Sequence, residues 1–287
     1  MHVSADALRL YGAPSAVFSR TWRRIQDDNC IDLAAQTSFY FVLSMFPFCL
    51  IIAGLVGWLP SKTIWNGFAA WAVTYLPTES RQLVFSTILG LARYSTGFLS
   101  FGLITAIWSA SSGFVSLMES LSLAYGTRDG RSLWRKHAIA ILVTILAAVF
   151  ALANFGLMAF GHWGLEILPA HFRMWPGSRM VWDSGRWIIT LVLMCIGVDL
   201  LNFVLPVVRR PWHWLTPGTT FVVLAFVSSS TLFNLYFQHF SEYPKLYGTL
   251  GGFIILMLWI YLASLILLVG AEADNEIEKL ATEAGTG

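Results

Sequence analysis

The sequence predicts an all-α polytopic membrane protein with six transmembrane helices, an N-terminal interfacial amphipathic helix and an outer-side helical hairpin between spans 1 and 2. Three observations carry this. Only 12% of the 287 residues are charged and 56% are hydrophobic, whereas a soluble domain carries about 25% charged residues. Six long runs are continuously apolar, at the roughly 20 residues that a helix rising about 1.5 Å per residue needs to cross a hydrocarbon core of about 30 Å. Lys and Arg fall unevenly on the two sides those runs define. The runs do not alternate as barrel strands do, and a backbone in lipid must satisfy itself, so they are expected to be helices.

In chain order, residues 1–36 form an N-terminal segment with Phe18, Trp22 and Ile25 on one helical face and Arg20, Arg23 and Arg24 close by. That pattern suits a helix lying among headgroups. The segment lacks the apolar core of a cleaved signal, so the first span is expected to stay as an anchor. The spans are Thr37–Trp58, Gly97–Met118, Ala138–Phe160, Arg186–Val208, Gly218–His239 and Thr249–Gly270, which places the membrane domain at 37–270. Between the first two, Trp65, Phe68, Ala72 and Tyr75 share a face, Pro77 breaks it, and Val84, Ile88 and Leu91 mark a second amphipathic stretch. This predicts the hairpin, or else a cap packed on the other helices. Residues 271–287 form an acidic tail. Eleven Lys and Arg lie on the side of both termini and six on the other, so both termini are expected to be cytoplasmic.

Asp199 is the formal charge inside IITLVLMCIGVDLLNFVLPVV. A charge at a helix centre costs about 2.5–3.5 kcal/mol on insertion scales, so it should face a partner or water. Asn202 shares its face, and Asn154, Asn234 and Glu119 are the other polar groups that could trace a path through the bundle. Asp199 is then either a lock, hydrogen-bonded to Asn or backbone, or part of a substrate or proton path. Pro47 falls within span 1, Pro206 ends span 4, and Pro217 with Gly218 opens span 5. Gly248 and Gly252 form a small-xxx-small pair that permits close helix packing and self-association. Arg128, Arg131, Arg135 and Lys136 either hold their loop inside or attract anionic lipid. Trp58, Trp65, Trp163, Trp175, Trp182, Trp212 and Trp214 fall near the predicted interfaces, as an aromatic belt would. Glu272, Asp274, Glu276 and Glu278 follow the last span, the latter three read as a solvated face.

Several chemistries are unsupported. Cys30, Cys49 and Cys195 form no C-x-x-C, and no two of the six histidines are three or four residues apart, so no metal site or disulfide framework is expected. There is no Walker A or G-x-S-x-G motif, which argues against ATP-driven transport and a serine nucleophile. Neither enzyme activity, cofactor nor nucleic-acid binding is expected.

The stretches NFVLPVVRRPWHWLTPG, Tyr236 and YGTLGGFIILMLWIYLASLILLVGAEADNEIE resemble the YihY family, also called BrkB or UPF0761, of bacterial inner-membrane proteins. DLAAQTSFYFVLSMFPF looks like that family's opening, and SLAYGTRDGRSLWRKHAIA is similar to the loop after its second span. The family-like positions are Tyr236, Tyr247, Trp259, Tyr261, Gly270 and Glu272. Tyr247-Gly248 is read as the turn into span 6, and Glu272 as a tie to Arg209, Arg210 or the 128–136 cluster. Gln36-Thr37-Ser38 and Asp199 depart from the pattern. The resemblance implies a six-helix membrane domain in the bacterial inner membrane. It also implies a transporter or a lipid or envelope-precursor translocating protein, the older ribonuclease label being a misassignment. The alternative is a non-transporting scaffold or lipid-binding protein in envelope maintenance.

Overall fold

A computed structural model describes residues 14–58, 107–159, 178–208, 214–239 and 243–285. Among the described residues all regular structure is α-helical, in seven helices. Three of these are long and apolar enough to cross a membrane, over Leu133–Ala151, Met180–Val204 and Phe253–Glu283, and Cys30–Met45 and Pro217–Phe233 are shorter apolar helices. The predicted outer hairpin and the first half of the predicted second span lie outside the described residues.

Helix α1, Pro14–Asp27, starts on a proline whose fixed φ suits a first turn. Thr21 is buried, whereas Phe18 and Trp22 are exposed and stack on each other with ring centroids 6.5 Å apart. The link to α2 turns at Asn29, whose φ of 50° is the left-handed conformation that asparagine tolerates better than most residues. Helix α2, Cys30–Trp58, contains Pro47 and begins seven residues before the predicted span. Helix α3, Ser112–Ala124, continues past the predicted end at Met118. It stops in a Schellman arrangement: Gly126 has φ 72°, its N–H donates to the Leu123 carbonyl (2.7 Å), and the Thr127 N–H donates to that of Ser122 (2.9 Å).

Helices α4, Leu133–Ala159, and α5, Ser178–Val204, follow. The predicted span 4 ran to Val208, but the helix ends four residues earlier, because Pro206 cannot continue it. Helix α6, Pro217–His239, starts where the Pro-Gly pair predicted, with proline first. Helix α7, Tyr243–Gly285, is unbroken over 43 residues. Two expectations are corrected by it. Tyr247 and Gly248 are helical rather than a turn, since Pro244 sits in the first turn, where its missing N–H has no partner to lose. The acidic stretch after Gly270 is also helical, and Asp274 and Glu276 are buried rather than solvated.

Helix α7 packs on α6 and α1, and α5 packs on α4 and α6. At the α6–α7 crossing, a Cβ on Gly218 would strike the Gly270 carbonyl and the Asp274 carboxyl, and one on Gly270 would strike Val222. Two glycines thus let these backbones touch. The chain divides into two units, Met1–Phe39 with Phe114–Gly287, and Tyr40–Gly113. Within the first, Thr37 of α2 is fully buried and its hydroxyl bonds those of Ser116 (3.4 Å) and Ser120 (3.0 Å) of α3. In the second, a Cβ on Gly113 would lie 2.8 Å from the Phe41 ring.

Candidate functional site

The start of α6 gathers the polar groups. Thr216 is its N-cap: the hydroxyl accepts the Thr219 N–H at 3.1 Å, as a residue before a helix should. Two carboxylates from other helices complete the cap. Asp274 of α7 accepts the Gly218 N–H (2.7 Å) and the Thr216 hydroxyl (2.5 Å). Asp199 of α5 accepts the Leu215 N–H at 3.1 Å and a short hydrogen bond from the Thr219 hydroxyl. The Thr216 and Thr219 oxygens lie 2.9 Å apart, so a continuous chain of oxygens runs from Asp199 to Asp274. Both acids are almost fully buried, at 6% and 5% exposure. The positive end of the α6 dipole, two backbone N–H groups and two threonine hydroxyls are what tolerate two negative groups there. Leu215, which aims its N–H at Asp199, has φ 54°, a conformation that costs a branched residue about 1–2 kcal/mol.

Asp199 is therefore not at its helix's centre. In Ser178–Val204 it stands five residues before the end, and it accepts at both oxygens rather than donating. The sequence run extended beyond Val204, which displaced the apparent midpoint. Of the other path candidates, the described ones, Asn202, Asn154 and Glu119, do not bond to it. Asn202 is half-buried, and both ends of its amide are buried without a hydrogen-bond partner. Asn154 donates to the Phe150 carbonyl of its own helix (2.9 Å), and its oxygen has no partner. Glu119 pairs with Lys136 at 2.5 Å. The side chains of Asn234, Tyr236 and Tyr247 and the surroundings of Gly248 and Gly252 lie outside what is described, as do Arg209 and Arg210. Trp259 packs edge-on against Phe226, with centroids 5.5 Å apart, and Tyr261 is half-buried.

The basic cluster is split. Arg131 is clamped by Asp129 (2.7 Å) and donates to the Leu205 carbonyl (2.5 Å), placing a cation at the C-terminal end of α5. Burial raises the Asp129 pKa, but the hydrogen bonds and charge of Arg131 outweigh it and hold the group below the ordinary carboxylate value. Lys136 is buried on Glu119. Arg128 and Arg135 are exposed. The expected partners Arg209 and Arg210 lie outside the described residues, and among the described residues Glu272 lies against Cys30.

Beside the α6 cap lies a cavity of about 290 Å³ between α4, α5, α6 and α7, walled by Leu146, Phe150, Gly197, Leu201, Val223 and Leu267 among others. Its lining is apolar. Val198 and Leu200, which flank Asp199, line it too.

Sequence reasoning missed Thr216, Thr219 and Asp274. The string Thr-Pro-Gly-Thr at 216–219 does carry a cap signal, a threonine before a proline at the first helical position. No local signal pairs it with Asp274, 58 residues away.

Residues 21–286 match the family model described as Virulence factor BrkB. The chain is 30% identical over 247 residues to the ribonuclease-like protein YfkH of Bacillus subtilis (strain 168), covering 86% of this chain and 89% of that one. It is 26% identical over 274 residues to a UPF0761 membrane protein of Tolumonas auensis, covering 92% and 86%. A UPF0761 membrane protein of Stenotrophomonas maltophilia (strain K279a) is 23% identical over 266 residues, covering 89% of this chain and 59% of that one. No solved structure matches.

Proposed function

This chain belongs to the BrkB family of membrane proteins, and from that premise we propose that it moves lipids or lipid-linked envelope precursors across the bacterial inner membrane without ATP. The observation that carries the reading is the neighbourhood of an apolar cavity, lined by Val198 and Leu200, to the buried polar cluster at Asp199 between them in the chain. A lipid needs that pairing: a dry wall for acyl chains and hydrogen-bonding groups for the head. The unpartnered Asn202 amide adds a group with bonding capacity to spare, which in a native interior points to a missing partner. The exposed Arg128 and Arg135 suit an anionic headgroup at the same end of the bundle. Both termini then face the cytoplasm, in keeping with the Lys and Arg bias.

In this reading the Asp199–Thr219–Thr216–Asp274 chain is the latch that closes that end. It ties α5 and α7 to the start of α6, and passage requires it to open. The test is flux of labelled phospholipid in proteoliposomes. Gly197→Leu extends into the cavity from a site where an added Cβ meets Phe150 only at 3.9 Å. We expect it to lower flux about tenfold, a barrier change of about 1.4 kcal/mol, at unchanged abundance. Equal flux in wild type, Gly197→Leu and empty vesicles would reject transport.

A second reading, a lipid-binding scaffold, is favoured by one observation: Asp199 spends both oxygens on its neighbours. It predicts retained lipid binding with no flux, and Asp199→Asn lowering stability alone.

A further inference from the structure

Glu272 lies on α7 two residues beyond the apolar run ending at Gly270, and it is fully buried. Its Oε1 has the Cys30 thiol at 4.0 Å, and its Oε2 has no donor. In the link between α1 and α2, Asp28 has the same deficit: Oδ2 is buried without a hydrogen-bond partner, and Arg24 is 3.8 Å away. The two carboxyls lie within hydrogen-bonding reach of each other. Lys279 bonds Glu276 (2.9 Å), and Arg24 is shared, its Nε on Glu276 (3.3 Å) and one terminal nitrogen at ion-pair distance from Asp28 (3.8 Å), so neither cation hydrogen-bonds the orphaned oxygens.

Two facing carboxylates have acceptors only, and they repel. One hydrogen between them satisfies both orphaned oxygens and removes one charge. We propose that Asp28 and Glu272 form a proton-binding site whose single shared proton fastens α1 to α7. The charged and titratable groups that face Glu272 are Asp28 from the link, Arg24 from α1, Cys30 from α2, and Glu276 and Lys279 from α7. The exposed Asp27 and Asp32 flank the link.

Burial, and then the charge of Asp28, push Glu272 from 4.5 up to about 8. Burial and the Glu272 charge push the Cys30 thiol up to about 12, so it remains an S–H donor throughout. The direction follows. The folded site keeps a proton that the free groups release, so the attachment is complete below the ordinary carboxylate value and is lost as pH rises through about 8. What loosens is the helix that carries the exposed Phe18 and Trp22 pair. The site thus makes the hold on an amphipathic helix responsive to proton concentration, whether or not the protein moves lipid.

The test uses the full chain in nanodiscs with Cys49 and Cys195 replaced by serine and Cys30, which is buried and faces Glu272, retained. Nitroxides at Arg23→Cys and Ala281→Cys, both exposed positions, report the α1–α7 distance by pulsed electron resonance. A single narrow distribution is expected well below pH 8, with a longer, broader one well above it. Glu272→Gln and Asp28→Asn each supply an amide donor in place of the proton, and both should stay narrow throughout. Infrared spectra of the wild type at neutral pH should contain a protonated-carboxyl band that Glu272→Gln lacks. A distance that does not change with pH in the wild type, a wild-type transition retained in Glu272→Gln, or the absence of that band would each overturn the proposal.

Discussion

Asp129 holds Arg131 by its side chain and by the backbone, and Arg131 in turn reaches the last turn of α5. The Asp129 side chain is 1% exposed, so Asp129→Asn strands a nearly buried guanidinium. Breaking such a pair costs about 3–5 kcal/mol, and a thermal midpoint in detergent should fall accordingly. The pH dependence has a definite sign. The Asp129 pKa is held below 3.8, so its contribution is present above that value and is lost as pH falls through the lowered one. Wild type should lose stability on acidification in that window, and Asp129→Asn should be flat there. The sequence placed Arg131 among loop cations and offered two uses for it, topology and lipid. It could not show that a carbonyl 74 residues away takes up its charge, because side-chain commitment over such separations leaves no periodicity.

At the scale of elements, the close crossing of α6 and α7 makes the strongest demand. Gly218 and Gly270 each lack room for a methyl group. Gly218→Ala or Gly270→Ala must push the backbones apart, at about 1–3 kcal/mol for overpacking, and should appear as a lowered midpoint and loss of monodisperse protein on gel filtration. Leu215→Gly should go the other way, by up to about 1 kcal/mol, because it relieves a left-handed leucine while leaving the N–H that serves Asp199. Helix existence was legible from the apolar runs, and the start of α6 from Pro217-Gly218. Helix ends were not, since an apolar count stops at the first charges. Helix α7 continues through Glu272, Asp274 and Glu276, three buried acids, of which the last two read in the sequence as a wet face.

Across the molecule, the stretch of α7 after Gly270 is the common partner. Asp274 caps α6, the Asn275 amide donates to the Ala124 carbonyl at the end of α3 (2.9 Å), and Glu276 and Glu283 pair with Arg24 and Arg20 of α1. Removing it should cost more than any single bond. A chain truncated after Gly270 is expected to lose protease resistance at α1 and at the 205–217 link, while Asn275→Ala alone costs about 1 kcal/mol. Limited proteolysis with mass spectrometry separates the two. The polar hub was the least legible part of the sequence. Its members at the α6 cap, Thr216, Thr219, Asp199 and Asp274, come from three segments, unremarkable one by one and specified only by the packing that gathers them.

Because α7 is translated after every helix it secures, the junctions at α1, α3 and α6 stay open while the ribosome is still at work. Maturation therefore closes from the downstream end, and a nascent chain halted before residue 271 would present unfastened helix tips to the membrane's proteases.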